Sequence, residues 1–188
     1  MAQRRFHYEQ AFEAYLRSNR IPYIAVDEAR KTLLPADQPL PSLKSFDFVV
    51  SSLPGHRTRR MVDVKGRLFK RGRQYQNWVT LDDIEALGYW EQILGEGFVG
   101  TFVFIFALEQ QPPDALFESV FAHAGRWYAL REISLDDYRR EMRPRSPKWR
   151  TVSLAGADFE RLSRPFGLSE APAAPKNAIF GSRIVQTA

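Results

Sequence analysis

A mixed α/β fold is the prediction for this chain, and three features make it. Helix-like and strand-like patterns follow one another in the order helix, strand, strand, strand, helix, strand. The run from Gly100 to Leu108 is almost wholly apolar and rich in Val, Ile and Phe, as expected of a central strand covered on both faces. The chain has 188 residues, 44% of them hydrophobic, which suits one domain with a substantial core.

Each element has its own signal. Over residues 6–19, Tyr8, Ala11, Phe12, Tyr15 and Leu16 recur at helical spacing, and Pro22 cannot continue that helix. Pro22 to Val26 reads as a short strand, and residues 29–44, with Pro35, Pro39 and Pro41, read as a loop. Ser45 to Ser52 and Arg60 to Phe69 read as strands, and Leu53-Pro54-Gly55-His56 between them is a turn signal, so the pair forms a hairpin. Residues 70–79 are basic and amide-rich, a loop by composition. Thr80 followed by Asp83 is a capping box that starts a helix at Leu81, and Gly95 closes it. After Leu108, weaker strands are expected near Leu116 to Ala122 and Trp127 to Arg131. Ser134-x-x-Asp137 announces a short helix over Leu135 to Met142. The expected organisation is one domain over 1–164, with a core at about 6–108 and strand and helix additions at 109–164. An Ala/Pro-rich tail, loosely held, follows at 165–188.

Composition narrows the chemistry. Cys is absent, which removes disulfides, cysteine zinc sites and thiol catalysis. No apolar run is long enough to span a bilayer, and residues 1–9 lack an apolar signal core, so a soluble, cytoplasmic protein with no membrane partner is expected. The net charge is +5 and the sequence pI about 9.6, a balance that favours polyanionic partners. The charge is concentrated. Arg57, Arg59, Arg60, Lys65, Arg67, Lys70, Arg71 and Arg73 face a single acid, Asp63, over that stretch, and a second basic run spans Arg139 to Arg150.

The hairpin gathers acids. Side chains alternate along a strand, so Asp63 and Lys65 share a face. A turn centred near His56 sets residue 47 opposite residue 65, which puts Asp47 on that face, diagonal to Asp63. At about 100° per residue, Glu9 lies on the flank of the first helix's apolar stripe, and Glu13 points further towards solvent. A helix lying on the sheet can bring Glu9 to the edge of the acid cluster, with Glu13 in reserve. Two unit charges ~4 Å apart repel by about 4 kcal/mol at an effective dielectric of ~20, and one lysine cannot neutralise three acids. A divalent cation can, and an all-oxygen site suits Mg²⁺ or Mn²⁺. Lys65 beside such an ion can position a water or steady a phosphate.

Phe46-Asp47 and Val62-Asp63-Val64-Lys65, preceded by Glu9 on a helix, resemble the PD-(D/E)XK nuclease superfamily. The resemblance spans about residues 6–108, with Phe46 where the family usually has proline. It implies the αβββαβ restriction-endonuclease-like core, a mixed central sheet flanked by helices. It also implies metal-dependent hydrolysis of phosphodiester bonds, usually in DNA. The metal ligands would be Asp47, Asp63 and the backbone carbonyl of Val64, with help from Glu9 and catalytic support from Lys65. A homodimer is compatible with this reading. The alternative is a catalytically inactive nucleic-acid-binding module of the same fold, and a third reading is a structural or protein-interaction domain.

Other motifs point to binding or to nothing. Cations, amides and an aromatic mix in the loop holding Lys70, Arg71, Arg73 and Trp78, next to Arg67, as suits phosphate contact and base stacking. Arg145 and Lys148, in the proline-containing run 143–150, suit an extended arm on a nucleic-acid backbone. Gly95-x-Gly97-x-x-Gly100 matches a dinucleotide fingerprint as a string but follows a helix and opens a strand, the reverse of what that fingerprint requires, so the glycines read as a turn. His7, His56 and His123 are scattered and read as structural or surface residues.

Overall fold

The computed structural model describes residues 3–26, 44–51, 58–70, 75–109 and 120–167. The expected loop up to residue 43, the turn at 53–56, Arg71, Arg73 and the tail from 168 onward therefore lie outside the described residues.

The elements appear in the expected order. Helix α1 (Gln3–Ser18) is followed by β1 (Tyr23–Ala25), β2 (Phe48–Ser51) and β3 (Arg59–Phe69). A two-residue β4 (Val79–Thr80) leads into α2 (Leu81–Leu94), and then comes β5 (Phe98–Leu108). The later chain forms β6 (Val120–His123), β7 (Arg126–Ser134), α3 (Leu135–Glu141), β8 (Arg143–Ser146), β9 (Thr151–Ser153), α4 (Gly156–Leu162) and β10 (Arg164–Pro165).

The main sheet runs β1-β2-β3-β5-β7-β10, with β6 also paired to β7. It is mixed: β3 and β5 run parallel through an eleven-residue ladder, and its other pairings are antiparallel. The parallel pair requires a crossover, and α2 supplies it. A small sheet, β4-β9-β8, packs beside α2. Helices lie on both faces, so β5 is buried almost throughout, as its continuous apolar run demands. On one face Ala11, Phe12 and Leu16 of α1 meet Phe48, Val50, Val62, Val103 and Ile105. On the other, Ile84 and Leu87 of α2 meet Met61, Phe102, Phe104 and Tyr138.

Local chemistry explains the helix ends. Thr80 accepts from Asp83 N at 3.1 Å, and Asp83 accepts from Thr80 N at 2.8 Å, the reciprocal capping box. Gly95 and Gly97, at φ of 72° and 88°, make the reversal from α2 into β5 that excludes a dinucleotide loop. Ser134 caps α3 by accepting from Asp137 N at 3.1 Å.

Three segments depart from expectation. The basic run 143–150 is not an extended arm; it builds β8 and the turn into β9, because Val152 and Leu154 bury beside β4 and Tyr138. The expected loop 70–79 ends in β4, which pairs with β9. Finally, β10 pairs with β7, and Phe166 is fully buried against Phe12. Glu132, 2% exposed, binds Arg60 at 2.6 Å and Arg164 at 2.8 Å and so ties β3, β7 and β10 together. No described helix is long and apolar enough to cross a membrane.

Candidate active site beside the hairpin

The site is built where β2 begins. The β2–β3 ladder pairs Phe48 with Val62, and Asp47 N donates to Val62 O at 2.8 Å. Asp47 therefore stands level with Asp63, two residues from the register the turn signal suggests. A slip of two keeps side-chain parity, so Asp47 stays beside the Asp63–Lys65 face. The Asp47 carboxylate closes the open end of the ladder: its Oδ2 accepts from Val64 N at 2.6 Å.

Asp63 and Lys65 sit side by side on the face of β3 covered by α2. Lys65 Nζ lies 2.7 Å from Asp63 Oδ1 and 3.1 Å from Asp83 Oδ2. Asp63, Lys65 and Asp83 are 7%, 8% and 3% exposed, so the charges interact with little solvent screening. Asp83 Oδ1 also pairs with Lys44. The Lys44 segment is pinned by Trp90 of α2, whose Nε1 donates to Lys44 O at 3.1 Å. Between that segment and α2 runs a crevice lined by Lys44, Ser45, Asp63 and Asp83, too tight for a water molecule. Asp83 and Lys44 escape a reading of the sequence, because the capping box already accounts for one and a proline-rich loop surrounds the other. The signal that exposes them is that the carboxylate at the third position of α2 faces the strand carrying Lys65.

Helix α1 covers the opposite face of the sheet, yet the charge of Glu9 is felt at Asp47. Tyr8, next to Glu9, lies directly on Gly66; a Cβ there would come within 2.1 Å of Tyr8 Cδ2. That close approach seats α1 against β3. Glu13 is engaged elsewhere: its Oε1 accepts from Arg17 at 2.7 Å and from the Tyr23 hydroxyl at 2.7 Å.

The electrostatics show a shortage of positive charge. Burial, then the charges of Asp63 and Glu9, push the Asp47 carboxyl up to about 7, against the Val64 amide and Lys65. Burial also pushes Asp63 up, opposed by Lys65 and reinforced by Asp83. Asp83 goes the other way. Burial works to raise it, but Lys65, Lys44 and the Thr80 amide hold it well below the usual carboxylate range. Four carboxylates (Glu9, Asp47, Asp63, Asp83) thus meet two ammonium groups (Lys44, Lys65): Lys44 pairs with Asp83, and Lys65 is shared between Asp63 and Asp83.

The donor set is oxygen-only, which fits Mg²⁺ or Mn²⁺, and the excess negative charge falls on Asp47 and Asp63. No group of three or more acids or histidines among the described residues already surrounds one point. The reasons are visible: Asp63 turns to Lys65, Asp83 is held by two lysines, and Glu9 approaches from the other face.

The basic residues expected to touch nucleic acid are distributed as follows. Arg67 follows Lys65 on the same face, 4.1 Å over the Trp78 ring, and donates to Gly66 O and Trp78 O. Burial brings its guanidinium down to about 10, so it stays charged at neutral pH. Arg145 lies 5.3 Å from the same ring. Lys70 is exposed at the end of β3, and Lys148 sits 5.5 Å from the Trp149 ring. His7 shares a 3.0 Å hydrogen bond with the Tyr128 hydroxyl, a structural contact, and His123 ends β6.

The observed core runs helix, hairpin, helix and a strand parallel to the hairpin's second strand. No family model matches the sequence, and no curated protein matches it. Among solved structures the chain is similar to Archaeoglobus fulgidus Hjc, a Holliday junction resolvase from an archaeal hyperthermophile. The identity is 11%, the match covers 86% of this chain and 90% of that one, and the TM-score is 0.48.

Proposed function

We propose that this chain is a divalent-metal-dependent nuclease that hydrolyses phosphodiester bonds, with DNA as its substrate. One observation carries the reading: Asp47, Asp63 and Lys65 converge beside the β2–β3 hairpin, with more buried negative charge than the nearby lysines neutralise. Asp47 and Asp63 would hold Mg²⁺ or Mn²⁺ together with the Val64 carbonyl, and Glu9 would add charge from α1. When bound, such an ion lowers the pKa of a coordinated water and neutralises charge on a phosphate. Lys65 would steady the phosphate or the attacking water. Asp63 and Asp83 hold its ammonium within hydrogen-bond reach, so its position is fixed before substrate arrives. Arg67, Lys70, Arg145 and Lys148 supply the positive field that attracts a polyanion.

The inactive binding module is the second reading, favoured by the absence of a ready-made group of three acids among the described residues. A cleavage assay on plasmid and oligonucleotide DNA separates the two. The expected result is Mg²⁺- or Mn²⁺-dependent cleavage that Asp63→Ala and Lys65→Ala abolish. Salt-sensitive binding without cleavage in any divalent ion would assign the binding module. Cleavage without metal, or full activity in both variants, would overturn the nuclease reading.

A further inference from the structure

The second basic run, Arg143-Pro144-Arg145-Ser146-Pro147-Lys148-Trp149-Arg150, folds as β8 and a turn. Two backbone bonds brace that turn: Arg150 N donates to Pro147 O at 3.2 Å, and Leu81 N donates to Arg150 O at 2.8 Å. Arg150 holds a φ of 45° to make it. The second bond fastens the turn to the first residue of α2, the helix whose Asp83 holds Lys65. Trp149 stands at the tip, 70% exposed. A large indole held in water on a braced turn is an unfilled stacking surface.

The cations around it are of two kinds. Arg143 faces Asp158, and Arg150 faces Asp82 and Glu85, each at 3.4 Å. Arg145 and Lys148 make no ion pair with a described residue; both lie against indole rings instead. A track results that begins at Lys65, passes to Arg67 on the same face of β3 and crosses the Trp78 ring to Arg145. Lys148 and Trp149 form a second cation–ring pair on the turn that follows β8. Cations alternating with aromatic rings suit a strand whose phosphates and bases are both accessible.

We infer that this hairpin tip binds a nucleic-acid strand with unpaired bases, Trp149 stacking on a base while Arg145 and Lys148 contact its phosphates. The inference rests on the nuclease reading and narrows it. The substrate carries a single-stranded segment beside the cleavage point. In an uninterrupted duplex the base faces are already stacked and only their edges are offered, so Trp149 gains little there.

The test uses the full chain in EDTA and a fluorescently labelled oligodeoxynucleotide, single-stranded or annealed as a blunt duplex, read by anisotropy. Trp149→Ala is expected to weaken single-strand binding roughly 5- to 150-fold. Duplex binding should stay within about twofold, because stacking is the interaction removed. Trp149→Phe should retain most of the single-strand affinity. Lys148→Ala should weaken both substrates and reduce the salt slope by about one. Trp149 is solvated, so an unchanged melting temperature is expected and separates lost contact from lost fold. Equal binding by Trp149→Ala and wild type, equal losses on both substrates, or no binding by wild type to either would overturn the inference. Cleavage by the same preparations in Mg²⁺ is scored separately. Wild type that fails to cut but keeps the Trp149 contrast supports the stacking surface and sinks only the nuclease reading. Cleavage with no Trp149 contrast sinks only the stacking surface.

Discussion

Lys65→Met isolates the charge balance of the site. Methionine keeps an unbranched side chain of similar length, so packing against Phe102 changes little, while the ammonium shared by Asp63 and Asp83 disappears. Removing one partner of a buried ion pair costs about 3–5 kcal/mol, because an uncompensated charge stays behind. Asp83 keeps Lys44 and its capping bonds, so the lower end applies, about 3 kcal/mol. For a chain of this size each kcal/mol moves the melting temperature by about 2–4 °C, which gives a fall of about 6–12 °C. Thermal unfolding followed by circular dichroism at neutral pH in EDTA measures it. Mg²⁺ should recover part of the loss, since the variant leaves Asp63 free to turn towards a cation. A fall below about 2 °C in EDTA would refute the reasoning, because the buried carboxylates would then not depend on Lys65.

Two further expectations rest on neighbouring groups. In the metal-free protein Asp47 holds its proton up to about pH 7, whereas the unfolded chain releases it near its ordinary value of 3.8. The stability gained from the protonated form is complete below that ordinary value and is lost as pH rises towards 7. Urea midpoints measured across this window should therefore decline for wild type and run flatter for Asp47→Asn; parallel curves would show that Asp47 does not titrate there. Gly66→Ala should destabilise by about 1–3 kcal/mol, because its Cβ meets the Tyr8 ring at 2.1 Å, and should reduce cleavage by displacing Glu9. Pairing it with Tyr8→Ala should cost less than the two single changes added together; strict additivity would show that the ring and the glycine are not in contact.

The core was legible because its signals are local and periodic. The stripe of α1, the Thr80–Asp83 box and the apolar run of β5 each dictate an element without reference to the rest of the chain. Asp47, Asp63 and Lys65 were legible because strand alternation survives an even slip in register. The role of Asp83 was not, since a capping carboxylate looks the same whether or not a lysine from another strand reaches it. Nor was the hairpin at 143–153: Arg, Pro and Lys read as an extended arm, and only Val152 and Leu154 burying beside β4 turn them into strand. The basic track escaped for the same reason, since Arg67, Trp78 and Arg145 are far apart in sequence and meet only once β8 is placed.

The most direct measurement of the metal claim is anomalous scattering from crystals of the wild-type protein soaked in Mn²⁺. A peak with oxygen atoms of both Asp47 and Asp63 at about 2.0–2.2 Å, lost in Asp63→Ala crystals, is the expected result. Saturating Mn²⁺ with no peak between those carboxylates, in a protein that still cuts DNA, would contradict it.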